Sequence, residues 1–493
     1  MLTKLQRWLI LAIVSSALFL ITIDMTVLYT ALPRLTHDLA ATASEKLWIV
    51  NAYPLVMAGL LPAFGTLGDS LGYKRLFVGG LVVFGVASAA AAYAPSAQLL
   101  VAARVLLAVG AALMMPATLS IIRITFIDDR ERSIAIGVWA SVSSAGAGVG
   151  PLIGGALLEY FWWGSVFLIN IPVVLAALGL ALPLIPDWRG QSGKRWDLIG
   201  SAEIMTGLIA LVYAVKELGR RDGSPATALA AAVLGLIALA VYVRRQNRQS
   251  DPLIDFSLFR NLRFSLGTLT ALVSTFVLVG SELAFTQQFQ LVRGFSPLEA
   301  GLFTMSLPLA AFFSGLFAGW ILRRDTILTI QCLSLLTAGI GLTLFLLAHA
   351  AGQAIQIGCL LIIGTGIGGA MTAASNAIIN NAPVEKAGMA ASIEEVSYEL
   401  GSAVGVAILG SLSSAVYTAS LSLNGLTVPA AAYDSLDEAL LIAEQLPAAS
   451  ASLLTAAAQA AFNQAFAAVL AAAAAALLAS ALVIRLLARR QAA

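Results

Sequence analysis

Long apolar stretches separated by short polar breaks run through nearly the whole chain, and fourteen of them can be placed. They lie near residues 8–32, 47–68, 75–94, 98–121, 133–158, 164–185, 197–215, 226–243, 264–290, 299–322, 326–348, 353–379, 389–417 and 463–486. Most are close to the roughly 20 residues that an α-helix needs to cross the hydrocarbon core of a bilayer. Helices suit such stretches because lipid offers the backbone no hydrogen-bond partners. The pattern predicts an all-α integral membrane protein with fourteen transmembrane helices.

Two longer polar connections divide these spans unevenly. The first, Pro186 to Trp196, follows the sixth span, and the second, Arg244 to Arg263, follows the eighth. We therefore expect two bundles of six helices with an inserted pair of helices between them. The N-terminal bundle is predicted at 1–185, the linker and inserted pair at 186–263, and the C-terminal bundle at 264–493.

The segment at 418–462, between the last two spans, is too long for a tight hairpin. It contains four carboxylates, at Asp434, Asp437, Glu438 and Glu444. We expect an external loop, with one or two short helices in its alanine-rich parts lying over the mouth of the protein. Whether these helices act as a gate stays open at this point.

Basic residues set the expected orientation. Twenty-one of the 28 Lys and Arg residues fall on one side of the spans, among them Lys4, Arg75 and Arg245, and six fall on the other. Because basic loops stay in the cytoplasm, both termini are predicted to be cytoplasmic. An even number of spans is consistent with this. The sequence thus predicts a multi-pass protein of a bacterial cytoplasmic (inner) membrane.

Composition excludes several other classes of protein. The 493 residues are 59% hydrophobic and 11% charged, whereas soluble domains carry about 25% charged residues. A net charge of +2 gives no basic field for nucleic acid. Cys332 and Cys359 lie in apolar runs without metal-ligand spacing. Gly364–Gly369 superficially resembles a nucleotide loop but lies inside a span without a Walker lysine. We expect no enzyme activity, no metal and no ATP site.

The fifth span contains an unusual run of small residues. Gly146, Gly150, Pro151, Gly154 and Gly155 follow the pattern Gly-x-x-x-Gly-Pro-x-x-Gly-Gly. In lipid, small residues let helices approach closely, and proline bends a helix that its neighbours then accommodate. One interpretation is a bent helix with a smooth face on which another helix presses and moves. The alternative is a tight helix contact and nothing more.

The connection between the second and third spans carries another pattern of glycine and charge. It contains Gly65, Asp69, Gly72, Lys74 and Arg75. A carboxylate at a helix end beside two cations can form a breakable charge latch between neighbouring helices. The alternative is a solvated turn that only fixes the topology.

Five carboxylates are placed inside apolar spans, where an ionised group costs about 2.5–3.5 kcal/mol. Asp24 lies in the first span, Glu282 in the ninth, and Glu394, Glu395 and Glu399 in the thirteenth. Glu395 and Glu399 share a helix face, and both repulsion and burial favour keeping one of them protonated. We expect Glu394 to face elsewhere, near the cytoplasmic edge. For Glu282, substrate binding, proton binding and an outer gate all stay open.

Each of these acids also has a simpler interpretation. Asp24 could be satisfied by neighbouring hydroxyl groups, and the three glutamates could face cytoplasmic water. Arg104, near the start of the fourth span, could be a fixed positive charge that favours proton release from a nearby carboxyl. It could equally extend to the surface or bind loop carbonyls.

Several of these stretches resemble motifs of the major facilitator superfamily. The run Gly146–Gly155 is similar to its antiporter motif, and Gly65–Arg75 to its cytoplasmic loop motif, although Ser70 and Tyr73 stand where basic residues are common. Arg104–Ala112 resembles Arg-x-x-Gln-Gly-x-Gly-Ala-Ala, with Leu and Ala replacing the glutamine and first glycine.

A narrower resemblance comes from the first and thirteenth spans. Asp24–Pro33 resembles the signature Asp-x-Thr-Val-x-x-x-Ala-Leu-Pro of the fourteen-helix drug:proton antiporters of the QacA and SmvA type, and most of all the SmvA type. The Glu-Glu-x-x-x-acid spacing of Glu394, Glu395 and Glu399 also occurs in these exporters, where it is associated with proton coupling and cation binding. Trp163–Pro172 resembles the start of the family's sixth span, where we expect an interfacial anchor without transport chemistry.

The resemblance implies a proton-coupled multidrug efflux transporter with two six-helix bundles and two inserted helices. Its expected substrates are lipophilic mono- and dications (quaternary ammonium antiseptics, dyes and biguanides), exchanged for protons. No cofactor is expected because the proton gradient supplies the energy, and we expect a monomer in the bilayer. The competing hypotheses are a metabolite transporter of the same fold, by symport or facilitated diffusion, and a sensor or scaffold that does not transport.

Overall fold

The computed structural model of the chain describes residues 3–187, 197–219, 221, 223–249, 252–322, 326–348, 351–383, 386–423 and 428–492. The first seven helices are α1 (Lys4–Asp38), α2 (Ala43–Leu71), α3 (Tyr73–Ala92), α4 (Ala97–Thr125), α5 (Asp129–Tyr160), α6 (Ser165–Leu168) and α7 (Asn170–Leu184). The others are α8 (Leu198–Gly219), α9 (Pro225–Gln246), α10 (Leu262–Gln287), α11 (Pro297–Thr304), α12 (Ser306–Ile321), α13 (Ile327–Leu347), α14 (Gln353–Asn380), α15 (Ala387–Ser420), α16 (Leu436–Ala443) and α17 (Ala448–Ala492). Short 3-10 turns lie at Phe256–Arg260 and Ala430–Tyr433, and a π-helical turn lies at Gln288–Val292.

The helices match the apolar pattern of the sequence. Among the described residues, thirteen helical segments are long and apolar enough to cross a membrane. The remaining predicted span, 133–158, coincides with the 32-residue helix α5, some of whose side chains lie outside the described part. No strand occurs in the described ranges. The predicted all-α membrane fold is confirmed.

Local sequence signals place several helix ends. Thr42 and Ser296 form capping boxes with Glu45 and Glu299, so that the starts of α2 and α11 are hydrogen-bonded by side chains. Gly72 separates α2 from α3 with φ 94°, a left-handed conformation that a residue without a Cβ adopts at little cost. These capped ends fix where the long helices begin and turn.

Buried apolar side chains form three clusters. The first lies almost entirely within 10–185 and the second within 266–484, apart from a few side chains. The third joins α2 to α8, α10, α14 and α15, through residues such as Leu55, Ile204 and Phe264. The first two clusters support the predicted bundles at 1–185 and 264–493, with 186–263 between them, and that division stays a prediction. We call α1–α7 the N-terminal half and α10–α17 the C-terminal half.

The end of the protein that the charge pattern predicts to be outside, here the outer end, has polar contacts that join the two halves. Lys46 of α2 forms a buried ion pair with Asp437 of α16, and the backbone N–H of Ala43 donates to Glu438 at 2.8 Å. Gln290 donates to the carbonyl of Thr30 in α1 at 3.0 Å. These contacts join the two halves at the outer end.

The predicted external loop at 418–462 is more helical than expected. It contains the 3-10 turn and α16, and α17 begins at Ala448, ahead of the predicted span at 463. Alanine has the highest intrinsic helix propensity, so the helix extends beyond the strongly apolar part of the sequence. One short helix, α16, lies where one or two were expected.

Candidate functional site

Asp24 is buried in the middle of α1, with 2% of its surface exposed. Its Oδ2 forms an ion pair with Nη1 of Arg104 from α4. Its Oδ1 accepts a hydrogen bond of 3.2 Å from Nδ2 of Asn170, the first residue of α7. Three helices therefore meet at one carboxylate, and the negative charge of that carboxylate has a cationic partner. Neighbouring hydroxyl groups are not what satisfies it.

Arg104 has 1% of its surface exposed, so it does not extend to the membrane surface. Besides Asp24, its Nε donates to the carbonyl of Ile49 at 3.3 Å. Its guanidinium carbon lies 4.5 Å from the centre of the Tyr53 ring, a distance at which a cation is attracted to an aromatic face. The contact with Asp24 is what a fixed positive charge beside a carboxyl requires, whereas the carbonyl that Arg104 binds belongs to helix α2 and not to a loop.

The expectation of a simple interfacial anchor at Trp163–Pro172 is wrong for Asn170. None of its surface is exposed, and its amide lies between Asp24 and Ser88 of α3, to which it donates at 3.1 Å. One sequence signal could have revealed this: Asn170 stands among apolar residues inside the sixth span, where a lone amide needs a partner.

The C-terminal half contributes carboxylates of a different kind. Glu399 on α15 has 7% of its surface exposed, and its Oε2 has no hydrogen-bond partner among the described residues. Glu395, one turn earlier, is partly buried and close enough to Glu399 for like-charge repulsion. Glu394 accepts a hydrogen bond of 3.0 Å from Tyr398 on its own helix. Glu282 on α10 is also partly buried.

Two tyrosines connect these groups across the interface between the halves. Tyr29 of α1 is within electrostatic range of Glu282, Glu399 and Arg104. Tyr53 of α2 is within range of Asp24, Arg104 and Glu399. The structure therefore brings Asp24 from one half and Glu399 from the other within electrostatic range of Arg104. Glu395 lies next to Glu399, and Glu282 lies within range of Tyr29.

The glycines of α5 pack against both halves. Gly146, Gly150 and Gly154 face α1, where an added Cβ would overlap or closely contact Thr22, Thr26 and Val27. Gly155 faces the other way, and a Cβ there would lie 2.7 Å from Cα of Leu298 in α11. Pro151 lies inside the helix, and its carbonyl lies against Gly301 of α11. On one side the run therefore packs closely against α1, and on the other side it lies at the border between the halves.

The loop motif at 65–75 contacts the inner end of α7. Lys74 donates to the carbonyl of Leu182 at 2.7 Å, and Arg75 lies 3.5 Å from the carboxylate of Asp187. The side chain of Asp69 lies outside the described residues, so the predicted latch between it and these cations stays a prediction. Gly65 packs loosely, since a Cβ there would meet Pro116 at 4.0 Å.

The chemistry available at this site is the binding of protons and cations. Among the described residues, no group of three or more His, Cys, Asp or Glu side chains is arranged to hold a metal ion. Carboxylates buried in a membrane protein can be neutralised by a proton, by an internal cation or by a cationic ligand. Asp24 forms an ion pair with an internal cation, whereas Glu399 forms no ion pair with any described residue.

Comparison with known proteins places this architecture in a family. Residues 14–406 match the family model of the Major Facilitator Superfamily. The chain is 39% identical to the multidrug efflux pump LfrA of Mycolicibacterium smegmatis, over 94% of this chain and 92% of the relative. It is 38% identical to the methyl viologen resistance protein SmvA of Salmonella typhimurium, over 93% of each chain.

A solved structure shares the fold. It is that of a bacterial homolog to the human lysosomal transporter Spinster, in an inward-facing and unoccupied conformation, with a TM-score of 0.63 and 17% identity. The match covers 99% of this chain and 98% of the solved chain. Taken with the family match along most of the sequence, this shows that the chain belongs to the major facilitator superfamily and is a membrane transporter rather than an enzyme.

Proposed function

We propose that this protein exports lipophilic mono- and dicationic compounds, such as quaternary ammonium antiseptics, dyes and biguanides, in exchange for protons. The observation that carries the proposal is the pair Glu395 and Glu399, two carboxylates near each other at the interface of the halves. The names of the relatives support it, because one is a multidrug efflux pump and another confers resistance to methyl viologen, a dication.

The physical reason for exchange lies in charge compensation. An ionised carboxylate buried without a partner costs several kcal/mol, so a proton or a cationic ligand has to neutralise it. When a lipophilic cation reaches Glu399, its charge replaces that of the proton, and the proton leaves. Because the two ligands compete for the same carboxylates, binding of one drives release of the other. That competition is the basis of antiport.

Energetics favour more than one proton-binding acid. A proton entering down 100 mV releases about 2.3 kcal/mol, and exporting a dication against the same potential costs about twice that. More than two protons per dication are then needed for the potential to help export. Asp24, Glu282, Glu394, Glu395 and Glu399 supply enough acids for this, with Arg104 as the fixed cation among them.

The remaining parts of the proposal concern location and movement. We place the protein in the bacterial inner membrane as a monomer, with both termini in the cytoplasm and the proton gradient in place of a cofactor. The glycine face of α5 would let the halves move past each other, and the loop at 65–75 would stabilise one state at the inner end.

Dye export from cells tests the proposal directly. Ethidium and methyl viologen should both leave energised cells faster when the protein is produced, and a protonophore should abolish that difference. Glu399→Gln should abolish export, whereas Glu159→Gln, the same change at an exposed position of α5, should not. Export that survives the protonophore would refute proton coupling. Export of neither dye would favour the metabolite-transporter hypothesis.

A further inference from the structure

Asn170 is fully buried at the start of α7, and only one of the two polar atoms of its amide is hydrogen-bonded among the described residues. Its Nδ2 donates to Asp24 and to Ser88. Its Oδ1 is buried and has no hydrogen-bond partner among the described residues. A buried acceptor without a partner costs free energy, so this oxygen needs an explanation.

The two partners of Asp24 differ in what they can bind. The guanidinium of Arg104 carries only donors, so it can hydrogen-bond Asp24 only while Asp24 offers an acceptor oxygen. The side-chain amide of Asn170 carries donors on one atom and an acceptor on the other. A half-turn of this amide would exchange the two. Ser88 can hydrogen-bond the amide in either orientation, because a hydroxyl both donates and accepts.

We propose that Asn170 is a positioning residue that keeps Asp24 hydrogen-bonded in both of its protonation states. With Asp24 ionised, Nδ2 donates to the carboxylate as observed. With Asp24 protonated, the amide turns and Oδ1 accepts the carboxyl O–H, while Ser88 donates to the same oxygen. This inference rests on the proposed function, because only a carboxyl that exchanges protons needs such a partner.

The groups around Asp24 decide the direction of the effect. The ionisable side chains facing it among the described residues are Arg104 from α4 and Tyr53 from α2. Glu399 of α15 lies within range of Arg104, and Glu282 of α10 within range of Tyr29. Without the amide, ionised Asp24 loses the hydrogen bond from Nδ2 but keeps the ion pair with Arg104. Protonated Asp24 loses the only acceptor that the proposal gives its O–H, and leaving a buried donor unpaired costs more than losing one of two partners. Protonation should therefore require a higher proton concentration.

Infrared difference spectroscopy of the full-length protein in lipid tests this without transport. The signal is the protonated-carboxyl C=O band that Asp24→Asn removes, followed as a function of pH. In Asn170→Leu its midpoint should move to lower pH by about half to one unit, a change of roughly three- to ten-fold in proton concentration. Asn170→Gln, which keeps both functions of the amide, should restore at least part of the wild-type midpoint.

Asn51→Leu is the matched control. Asn51 is also fully buried in the N-terminal half, and its amide has no hydrogen-bond partner in the described ranges. Its replacement should leave the midpoint unchanged. An unchanged midpoint in Asn170→Leu, or an equal shift in Asn51→Leu, would overturn the inference, and so would the absence of any band that depends on Asp24. A shift in Asn170→Leu, together with wild-type protein that exports no cation, would instead refute the proposed function.

Discussion

Asp24 in the N-terminal half and Glu399 in the C-terminal half are carboxylates of one interface, with 2% and 7% of their surfaces exposed. Their surroundings differ. Asp24 has an ion pair with Arg104 and a hydrogen bond from Asn170. Within the described ranges Glu399 has neither, and the nearest charge on its own helix is another carboxylate, Glu395.

The difference teaches where an exchangeable charge can reside. A carboxylate that already has a buried cation gains little from a second one, and removing either partner leaves an uncompensated charge. A buried carboxylate that has neither an ionic partner nor a bound cation has to hold a proton. In the proposed cycle Glu399 is therefore the acid at which a proton is exchanged for a cation, whereas the charge of Asp24 is balanced by Arg104 in this conformation.

Removing the cation of the N-terminal half should give the largest effect. Arg104→Gln leaves Asp24 buried without its ionic partner, and breaking such a pair costs about 3–5 kcal/mol. Thermal unfolding in detergent should show a large loss of stability. Adding Asp24→Asn to this variant should recover most of the loss, because no unpaired charge remains. A single Arg104→Gln variant as stable as the wild type would show that the pair is not the main support of Asp24.

Crowding the helix that carries Asp24 should have a somewhat smaller effect. A side chain at Gly150 would overlap Thr26 of α1, and overpacking a close contact costs about 1–3 kcal/mol. Gly150→Leu should lower thermal stability by that amount and abolish dye export. Gly179→Leu is the control, because a Cβ at Gly179 of α7 meets no atom within 4 Å. Full export by Gly150→Leu would mean that the glycine face does not serve the transport cycle.

Neutralising the acid of the C-terminal half should cost no stability. Glu399→Gln removes a buried charge without a partner, so we expect unchanged thermal stability or a gain of up to about 1 kcal/mol. Asp24→Asn, which leaves Arg104 unpaired, should lose about 3 kcal/mol in the same assay. The two halves would not differ as described if both neutral variants were destabilised equally.

An ion pair at the inner surface should contribute least to the stability of the protein. The Lys386 ammonium, which donates to Asp255, lowers the pKa of that carboxyl to about 2. The stabilisation from this pair is present above the ordinary Asp pKa of about 3.9 and is lost as the pH falls toward 2. Because the Lys386 side chain is 40% exposed, Lys386→Gln should cost less than about 1 kcal/mol. A larger loss at neutral pH, or one that persists at the acid end of the curve, would contradict this.

The positions of the helices and of the intramembrane acids could be predicted from sequence, because both depend on local composition. Apolar runs of the right length predict spans wherever they occur, and Asp24 and Glu399 stand out because charge is rare there. The pairing of Asp24 with Arg104 could not be predicted, since the two are 80 positions apart and meet only through the packing of α1 and α4. The contacts of Asn170 could not be predicted for the same reason: an amide near a span end is compatible with an anchor until its neighbours are known.

Proton release on cation binding tests the central claim most directly. Methyl viologen is added to purified wild-type protein in weakly buffered detergent solution, and the change in pH is measured together with binding. Binding should release protons from the wild type and from Glu159→Gln, but the release should disappear in the double variant Glu395→Gln/Glu399→Gln. Undiminished proton release in the double variant, or binding to the wild type without any release, would contradict the claim that the C-terminal carboxylates exchange a proton for the cation.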